Sequence, residues 1–285
     1  MAGVWGLAAA LLWGVGDFLA RFAGRGVGVW RTLFYGQIVG LFALQLWMFP
    51  HWETYRQAFA AWSSGLMLGM AVAPLALIGS YAFTKALTAG TLSLVVPIAT
   101  SYGAVSAVLA IAWGEPVTTR ALVGIVGTVI GVTLATAAPS SHKAKPGSAG
   151  VGWALIAAGV LGTSIWLQGR FVVPAIGSLP AVLVYFAISI PILVVIRLAG
   201  RGSFALSPLS MWPVTLGAGL LTSSAGIALA LGFATGHIAI VAVLSTLSSV
   251  VTALLGYTLL DERLAPRQLA GVVLAIAGVA TINAG

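Results

Sequence analysis

Two stretches of the sequence decide the fold: GEPVTTRALVGIVGTVIGV at residues 114–132 and DERLAPRQLAGVVLAIAGV at residues 261–279. Each stretch begins with an acidic turn and continues as an apolar run with interspersed glycines, so that Gly124 corresponds to Gly271. Glycines coincide easily in a chain that contains 36 of them, whereas Asp and Glu together number only 5. The repeated acidic turn therefore indicates that the chain is an internal duplication.

The composition of the chain excludes a soluble protein. Of its 285 residues, 60% are hydrophobic and 6% are charged, whereas an average soluble domain is about 25% charged. The 13 Lys and Arg residues are scattered singly, without a basic patch, so nucleic acid is not expected as a partner. The absence of cysteine excludes disulfides and thiol catalysis. Hydrolase and nucleotide-binding motifs are also absent from the sequence, and we expect no enzymatic activity, no cofactor and no metal.

Ten apolar runs are long enough to cross a bilayer, for which about 20 residues are needed. They lie at about 4–23, 32–50, 62–84, 91–113, 119–138, 151–170, 178–199, 210–234, 238–260 and 265–283. Long runs without alternation favour helices over the strands of an outer-membrane barrel. We therefore predict an all-α membrane protein with ten transmembrane helices. No Lys or Arg precedes Arg21, so the first run is expected to be a permanent helix rather than a signal peptide.

A polar segment at residues 139–149 separates a first repeat, residues 1–138, from a second repeat, residues 150–285. Each repeat contains five predicted spans. Because five is an odd number, the second copy must start on the opposite side of the membrane, which predicts two repeats of inverted topology. Inverted repeats recur in alternating-access transporters, whose substrate site lies between the repeats near the bilayer midplane.

A family resemblance rests on the segment LLWGVGDFLAR at residues 11–21, on the two five-span repeats and on the acidic turns that precede their last helices. Together these features resemble the drug/metabolite transporter superfamily, EamA type, over essentially the whole chain. The turn Gly114-Glu115-Pro116 departs from the Gly-Glu-Arg-like tripeptide of that family. The resemblance implies export or exchange of small metabolites, including amino acids and amphipathic compounds, and we expect a multi-pass protein of a prokaryotic inner membrane.

The orientation of the chain in the membrane is open to two interpretations. Lys and Arg residues in short loops favour the cytoplasmic side. Ten of them fall in odd-numbered loops and three in even-numbered loops, which favours both termini outside the cytoplasm. The family resemblance implies the reverse, with both termini inside.

Asp17 is the one ionisable residue that the predicted spans place inside the membrane, about a turn and a half from the end of the first helix. Arg21 follows four residues later, at a spacing that lets two side chains share a helix face. Either the two residues form an ion pair that anchors the helix end, or Asp17 couples transport to a proton or cation. The first helix has no Glu, unlike that of small multidrug exporters of the superfamily, so exchange of hydrophobic cations for protons is not expected.

Hydroxyl and aromatic residues inside the spans are the candidates for a binding cavity. Ser101 corresponds to Ser248, and Ser245, Ser248 and Thr252 share one face of the ninth run. Helix–helix hydrogen bonding is the alternative role for such residues, and Pro97 frees a backbone carbonyl in the fourth run. The predicted substrate-binding residues are Trp13, Tyr81, Ser101, Tyr102, Trp166, Tyr185, Ser223, Ser245, Ser248 and Thr252.

The predicted coupling or gating residues are Asp17, Arg21, Pro97, Glu115 and Glu262. The two glutamates precede the fifth and tenth helices, so stabilisation of a helix start by its dipole is the alternative to a gating role. A stripe of small residues in the same two helices either packs inside the bundle or forms a dimer surface. It consists of Gly124, Gly131, Gly271 and Gly278.

The pattern as a whole favours a secondary transporter, an exporter or exchanger of small amphipathic metabolites such as amino acids. A lipid-headgroup flippase is the second class, which the lack of a Lys or Arg pair inside the spans disfavours. A membrane scaffold without transport activity is the third class, which the near-absence of long loops disfavours. The expected partners are the lipid bilayer and a small-molecule substrate, and the chain is expected to be a monomer or a homodimer.

Overall fold

Every regular element in the described part of the chain is a helix, and no strand occurs there. The computed structural model describes residues 1–59, 63–89, 98–136, 148–200, 208–259 and 265–283. The helices are α1 (Ala2–Val27), α2 (Val29–Met48), α3 (Trp52–Phe59), α4 (Ser64–Ala89), α5 (Tyr102–Ala112), α6 (Thr119–Thr136), α7 (Ser148–Leu167), α8 (Val173–Ile176), α9 (Ser178–Ala199), α10 (Trp212–Phe233), α11 (Ile238–Ser245), α12 (Ser248–Leu259) and α13 (Pro266–Asn283). A π-helical segment, Gln168–Val172, joins α7 to α8.

The predicted all-α membrane fold is confirmed, because a helix lies in each of the ten apolar runs. Among the described residues, seven helical stretches are long and apolar enough to span a bilayer. Two shorter apolar helices, Ile98–Ala112 and Pro266–Ile282, lie in the fourth and tenth runs, and the 20 residues of α2 lie in the second. Most of the predicted linker lies outside the described residues, and α7 begins at Ser148, within its predicted bounds.

The first helix is longer than the predicted run. α1 ends at Val27, because the next residue, Gly28, has a φ of 87°, which is unfavourable for a helix; the N–H of Gly28 donates to the carbonyl oxygen of Gly24. Asp17 therefore lies ten residues before the last residue of α1, Val27, or about 15 Å along the helix axis. The part of α1 that is able to span a membrane ends at Gly24, so Asp17 keeps nearly its predicted position within the span.

A short helix that the apolar runs do not predict, α3, lies between the second and third spans. Its exposed face carries the ion pair between Arg56 and Glu53, whose closest nitrogen and oxygen are 3.0 Å apart. Its other face carries Tyr55, which is buried in the hydrophobic core. Run-based prediction misses α3 because the helix is amphipathic and only eight residues long.

The two repeats pack by exchanging their first helices. α1, from the first repeat, packs against α10, α11 and α12 of the second, whereas α7, from the second repeat, packs against α4 and α5 of the first. The remaining contacts follow the same relation, because α2 packs on α10 as α9 packs on α4. The related pairs α2–α9 and α6–α13 also touch, and α5 contacts α11. Two related repeats of opposite orientation produce this pattern around a pseudo-two-fold axis.

Glycines let the last helices of the two repeats approach backbone to backbone. A Cβ added at Gly131 would lie 2.3 Å from the nitrogen of Ala275, and one added at Gly271 would lie 2.7 Å from the carbonyl oxygen of Gly131. A Cβ added at Gly278 would lie 2.7 Å from the carbonyl oxygen of Gly124. The stripe of small residues therefore packs inside the chain, between α6 and α13.

Candidate transport site

The ninth span is interrupted at a group of hydroxyl residues. α11 ends at Ser245 and α12 begins at Ser248, with a two-residue turn between them. The hydroxyl of Ser245 donates to the carbonyl oxygen of Ala242 at 2.8 Å, and that of Thr246 donates to the carbonyl oxygen of Val243 at 2.6 Å. These side chains supply donors where the helix is interrupted. Within a membrane, such a break is tolerated inside protein or beside a water-filled cavity.

The fourth span is interrupted at the repeat-related residue. Ser101 is a turn residue between the short helical segment 98–100 and α5, and its hydroxyl donates to the carbonyl oxygen of Ile98 at 2.7 Å. Ser101 corresponds to Ser248, the first residue of α12, so the turn at residue 101 and the turn at residues 246–247 lie within two residues of each other when the repeats are aligned. Pro97, the residue predicted to free a carbonyl in this helix, lies outside the described residues.

The two interruptions lie against each other. A Cβ added at Gly103 would lie 2.4 Å from Cγ2 of Thr246 and 2.9 Å from the carbonyl oxygen of Ala242, so this contact requires glycine. Beside it lies a space of about 10 Å³, whose polar lining comes from Thr100, Ser101, Thr133 and Thr246. This volume is enough for about one water molecule.

Tyr102 connects the two interruptions. Its side chain is 7% exposed, and its hydroxyl lies within hydrogen-bonding reach of the side chains of Ser245 and Ser248. The carboxylate of Asp17, on α1, interacts electrostatically with the same hydroxyl. The sequence predicts these four residues separately, and the structure brings them together from four helices of both repeats. We call these four residues the central polar group.

Two glycines place the first helix of each repeat on the interruption in the other repeat. A Cβ added at Gly14 would lie 2.9 Å from the carbonyl oxygen of Ser248, and one added at Gly162 would lie 2.8 Å from that of Tyr102. The hydroxyl of Thr252 donates to the carbonyl oxygen of Gly14 at 2.8 Å. This predicted binding residue therefore makes a helix–helix hydrogen bond next to the central polar group.

A second set of polar side chains lies where α2, α4 and α9 meet. The side-chain nitrogen of Gln37 donates to the hydroxyl of Tyr185 at 3.3 Å, and the hydroxyl of Ser189 donates to the side-chain oxygen of Gln37. Ser80 also lies within hydrogen-bonding reach of the Tyr185 hydroxyl. Gln37 and Tyr185 are 148 residues apart and occupy repeat-related positions, so their contact lies at the pseudo-two-fold axis. Gln37 is absent from the predicted site, although its place within an apolar run is a usable signal.

The other predicted binding residues take different positions. Trp13 is partly buried and packs against the main hydrophobic core, and Ser223 is buried where α10 approaches α2. Tyr81 is 42% exposed on α4. Its ring centroid lies 6.1 Å from that of Trp153 and 5.8 Å from Nζ of Lys85. The structure thus places Tyr81 at the surface, apart from the central polar group.

The acidic turn of the first repeat contacts the second repeat. The carboxylate of Glu115 accepts hydrogen bonds from the backbone N–H groups of Ile238 and Ala239, each at 3.1 Å. It therefore caps α11 rather than α6, the helix that follows it in the sequence. Burial raises the pKa of the Glu115 carboxyl, and the two N–H groups, followed by the charges of His237 and Arg170, act in the opposite direction.

Three aromatic rings pack together close to Glu115 in the sequence and the fold. The ring centroids of Trp113 and Trp166 are 5.4 Å apart, and those of Trp166 and Phe171 are 5.6 Å apart. Trp113 precedes Glu115 by two residues, and Phe171 belongs to the π-helical segment that also contains Arg170. Trp166, a predicted binding residue, thus lies beside the capping contact rather than in the central polar group.

Two of the predicted gating residues remain. Arg21 is partly buried on α1, one turn after Asp17. Glu262, which corresponds to Glu115 in the second repeat, lies outside the described residues.

Comparison with known proteins agrees with this architecture. A family model described as the EamA-like transporter family matches residues 1–137 and again residues 148–284. The chain belongs to the EamA-like transporter family. A solved structure described only as the crystal structure of a protein aligns with this transporter over 99% of this chain and 97% of that chain, with a TM-score of 0.78 and 13% identity. At that identity the likeness concerns the fold alone, and no curated protein matches the chain.

Membership of the EamA-like transporter family confirms the resemblance that the acidic turns indicate. The family match covers each repeat separately, and the apolar helices make this transporter a multi-pass membrane protein in contact with lipid.

Proposed function

We propose that this EamA-like transporter is a secondary transporter that exports or exchanges small amphipathic metabolites, such as amino acids, by alternating access between its two repeats. The crossing of two interrupted helices at Ser101 and Ser248 carries the proposal. Discontinuous helices at the interface of inverted repeats are typical of the substrate sites of such transporters. The family match supports membrane transport as the general activity.

The central polar group suits a solute that has both polar and apolar parts. The hydroxyls of Tyr102, Ser245 and Ser248 both donate and accept hydrogen bonds, so they serve a carboxylate as well as an amine. The carboxylate of Asp17 attracts an amino group, a cation or a proton, which makes it our candidate for coupling. Partly buried apolar residues such as Trp13 pack nearby against the core and are available to an apolar side chain of the solute.

The exchanged helices define the moving parts that we propose. One packed group contains α1, α2, α10, α11 and α12, and the other contains α4, α5, α7 and α9. The central polar group lies between them, because Tyr102 belongs to one group and Ser245, Ser248 and Asp17 belong to the other. Rocking of one packed group against the other opens this site to each side of the membrane in turn.

Counterflow in proteoliposomes tests the proposed transport. Purified protein is reconstituted in vesicles loaded with an unlabelled solute, and uptake of the same labelled solute is followed for amino acids, amines, nucleosides and sugars. We expect saturable counterflow of at least one class, and its absence across the panel would refute the proposal. Tyr102→Phe removes the central hydroxyl and should weaken apparent affinity about two- to tenfold, the equivalent of one hydrogen bond. Tyr257→Phe, at an exposed position on α12, is the matched control.

An apolar groove supports a second candidate function, that of a lipid-headgroup flippase. The groove has a volume of about 480 Å³ and lies between α3, α4 and α9. Its lining consists of Phe59, Leu66, Met70, Leu183, Val184, Ala187 and Ile188. Side chains of this kind fit an acyl chain. Dithionite quenching of fluorescent lipids in the same vesicles decides between the two functions, because a flippase makes both leaflets accessible to the quencher and a solute exchanger does not.

A further inference from the structure

The capping contact of Glu115 joins the two packed groups to each other. Glu115 follows α5, which belongs to one group, whereas Ile238 and Ala239 begin α11, which belongs to the other. The contact comprises three N–H···O distances: 3.1 Å from Ile238 to Oε2, 3.1 Å from Ala239 to Oε1 and 3.3 Å from Ala239 to Oε2. Separation of the two groups at this end must break all three.

The contact lies at the end of the bundle that carries both termini. Successive spans run in opposite directions, so the turn after the fourth span and the turn before the ninth lie at the same end as residue 1. The packing agrees, because a Cβ added at Gly232, near the end of α10, would lie 3.1 Å from Cβ of Trp5, in the first turns of α1. Glu115 and His237 both belong to this end.

From this position we infer that Glu115 is a latch that holds the transporter closed at the end where its termini lie. The latch is defined by the Glu115 carboxylate and the N–H groups of Ile238 and Ala239. The inference rests on the proposed function and adds the device that controls access to the central polar group from one side.

Favourable hydrogen bonds and charges hold the latch closed, and the cost of burying the Glu115 carboxylate opposes them. Hydrogen bonds to an ionised carboxylate are shorter and stronger than neutral ones, and a helix N-terminus favours a negative charge. His237, on the α11 side, and Arg170, on the α7 side, add favourable charge, whereas burial of the carboxylate costs free energy. Because the cost and the gain oppose each other, the contact is able to open and close during transport.

Three aromatic rings pack against one another next to the latch, and Trp113, two residues before Glu115, is 57% exposed. Trp113, Trp166 and Phe171 form an aromatic cluster, and Phe171 follows Arg170 in the π-helical segment. Insertions of this kind in a helix are frequent at functional sites.

Distance measurements between two labels test the latch directly. The chain has no native cysteine, so Ala112→Cys, at the end of α5, and Ala234→Cys, directly after α10, give a labelled pair without further changes. Both positions are exposed, and α5 and α10 belong to different packed groups. The pair is spin-labelled in lipid nanodiscs, and the distance distribution is compared for the parent, Glu115→Ala and Glu53→Ala. Glu53 is a matched control, because it lies on the exposed face of α3 and pairs there with Arg56.

We expect Glu115→Ala to raise the ratio of long to short distances between the two spin labels about tenfold, because the variant loses a charged hydrogen bond. The control Glu53→Ala should leave the distance distribution of the parent unchanged. Glu115→Gln keeps one acceptor oxygen and a similar volume, so it should fall between parent and Ala, and it serves as the test if Glu115→Ala does not fold. A parent-like distribution in the folded Glu115 variants overturns the inference.

Counterflow on the same samples separates the two proposals. A latch that opens in Glu115→Ala without counterflow of any solute contradicts the proposed function and leaves the latch standing. Counterflow with unchanged distances contradicts the latch and leaves the proposed function standing.

Discussion

Replacing Gly131 with alanine should separate the last helices of the two repeats. The added Cβ would lie 2.3 Å from the nitrogen and 2.7 Å from Cα of Ala275, and 2.8 Å from the carbonyl oxygen of Gly271. All three atoms belong to backbone, so no side-chain rotation relieves the overlap. Ordinary contacts between such atoms are about 3.5 Å long, and α13 must therefore move by about 1 Å. Overpacking of this kind costs about 1–3 kcal/mol.

Gly127→Ala is the matched control for this prediction. Gly127 lies one turn earlier on α6, and a Cβ there would meet Cα of Gly278 at 3.7 Å, an ordinary contact. Alanine is favoured over glycine within a helix by up to about 1 kcal/mol, so Gly127→Ala should be neutral or stabilising. Thermal unfolding in detergent, followed by tryptophan fluorescence, should rank Gly131→Ala below the parent and Gly127→Ala level with the parent or above it.

The oligomeric state provides an independent check on the same pair. Because the glycine stripe packs within one chain, the molar mass measured by light scattering should be equal for the parent and both variants. If Gly131→Ala is as stable as Gly127→Ala, or if it changes the molar mass while the stability stays constant, the close approach of α6 and α13 within one chain is refuted.

Two further predictions concern the acidic turns. Burial raises the pKa of Glu115, so the folded protein binds a proton at this carboxyl more tightly than the unfolded chain does. The stability gained from this proton is fully present below the pKa of the unfolded chain and is lost as the pH rises through the pKa of the folded protein. The difference in unfolding temperature between the parent and Glu115→Gln should therefore fall as the pH rises above the ordinary range of a carboxyl group, and a difference that stays constant with pH would contradict it. Glu262→Ala should favour opening at the end without termini, because Glu262 corresponds to Glu115 in the inverted second repeat. Ser101→Cys is combined with each of the two variants, and its labelling by a membrane-impermeant maleimide is measured from each side of the membrane. Glu262→Ala and Glu115→Ala should raise labelling from opposite sides, and the same change in both variants would count against related latches.

Much of the fold is predictable from the sequence, because a span in lipid must satisfy its own backbone hydrogen bonds and expose apolar side chains. Both requirements produce patterns in the local sequence, and the ten apolar runs are such patterns. No local pattern shows which distant residues a site residue will contact. Glu115 caps a helix that starts 123 residues later, whereas its local sequence indicates only the helix that follows it.

The interruption of the ninth span shows a second limit of sequence patterns. Ser245, Ser248 and Thr252 have the spacing of one helical face, which holds for a continuous helix. The hydroxyls of Ser245 and Thr246 donate to carbonyls three residues back, at the turn, whereas Thr252 also reaches the carbonyl four residues back, at 3.0 Å, within α12. Hydroxyl residues are compatible with both patterns, so their spacing alone does not reveal the break.

The exchange of first helices has a consequence for biosynthesis. α1 leaves the ribosome first, yet apart from α2 the helices against which it packs begin at Trp212 and end at Leu259. Until about nine-tenths of the chain has been translated, α1 and its Asp17 lie in the bilayer without the complete set of these neighbours. Neither half of the molecule is therefore a self-sufficient folding unit, and separately expressed halves should accumulate only when both are produced in the same cell.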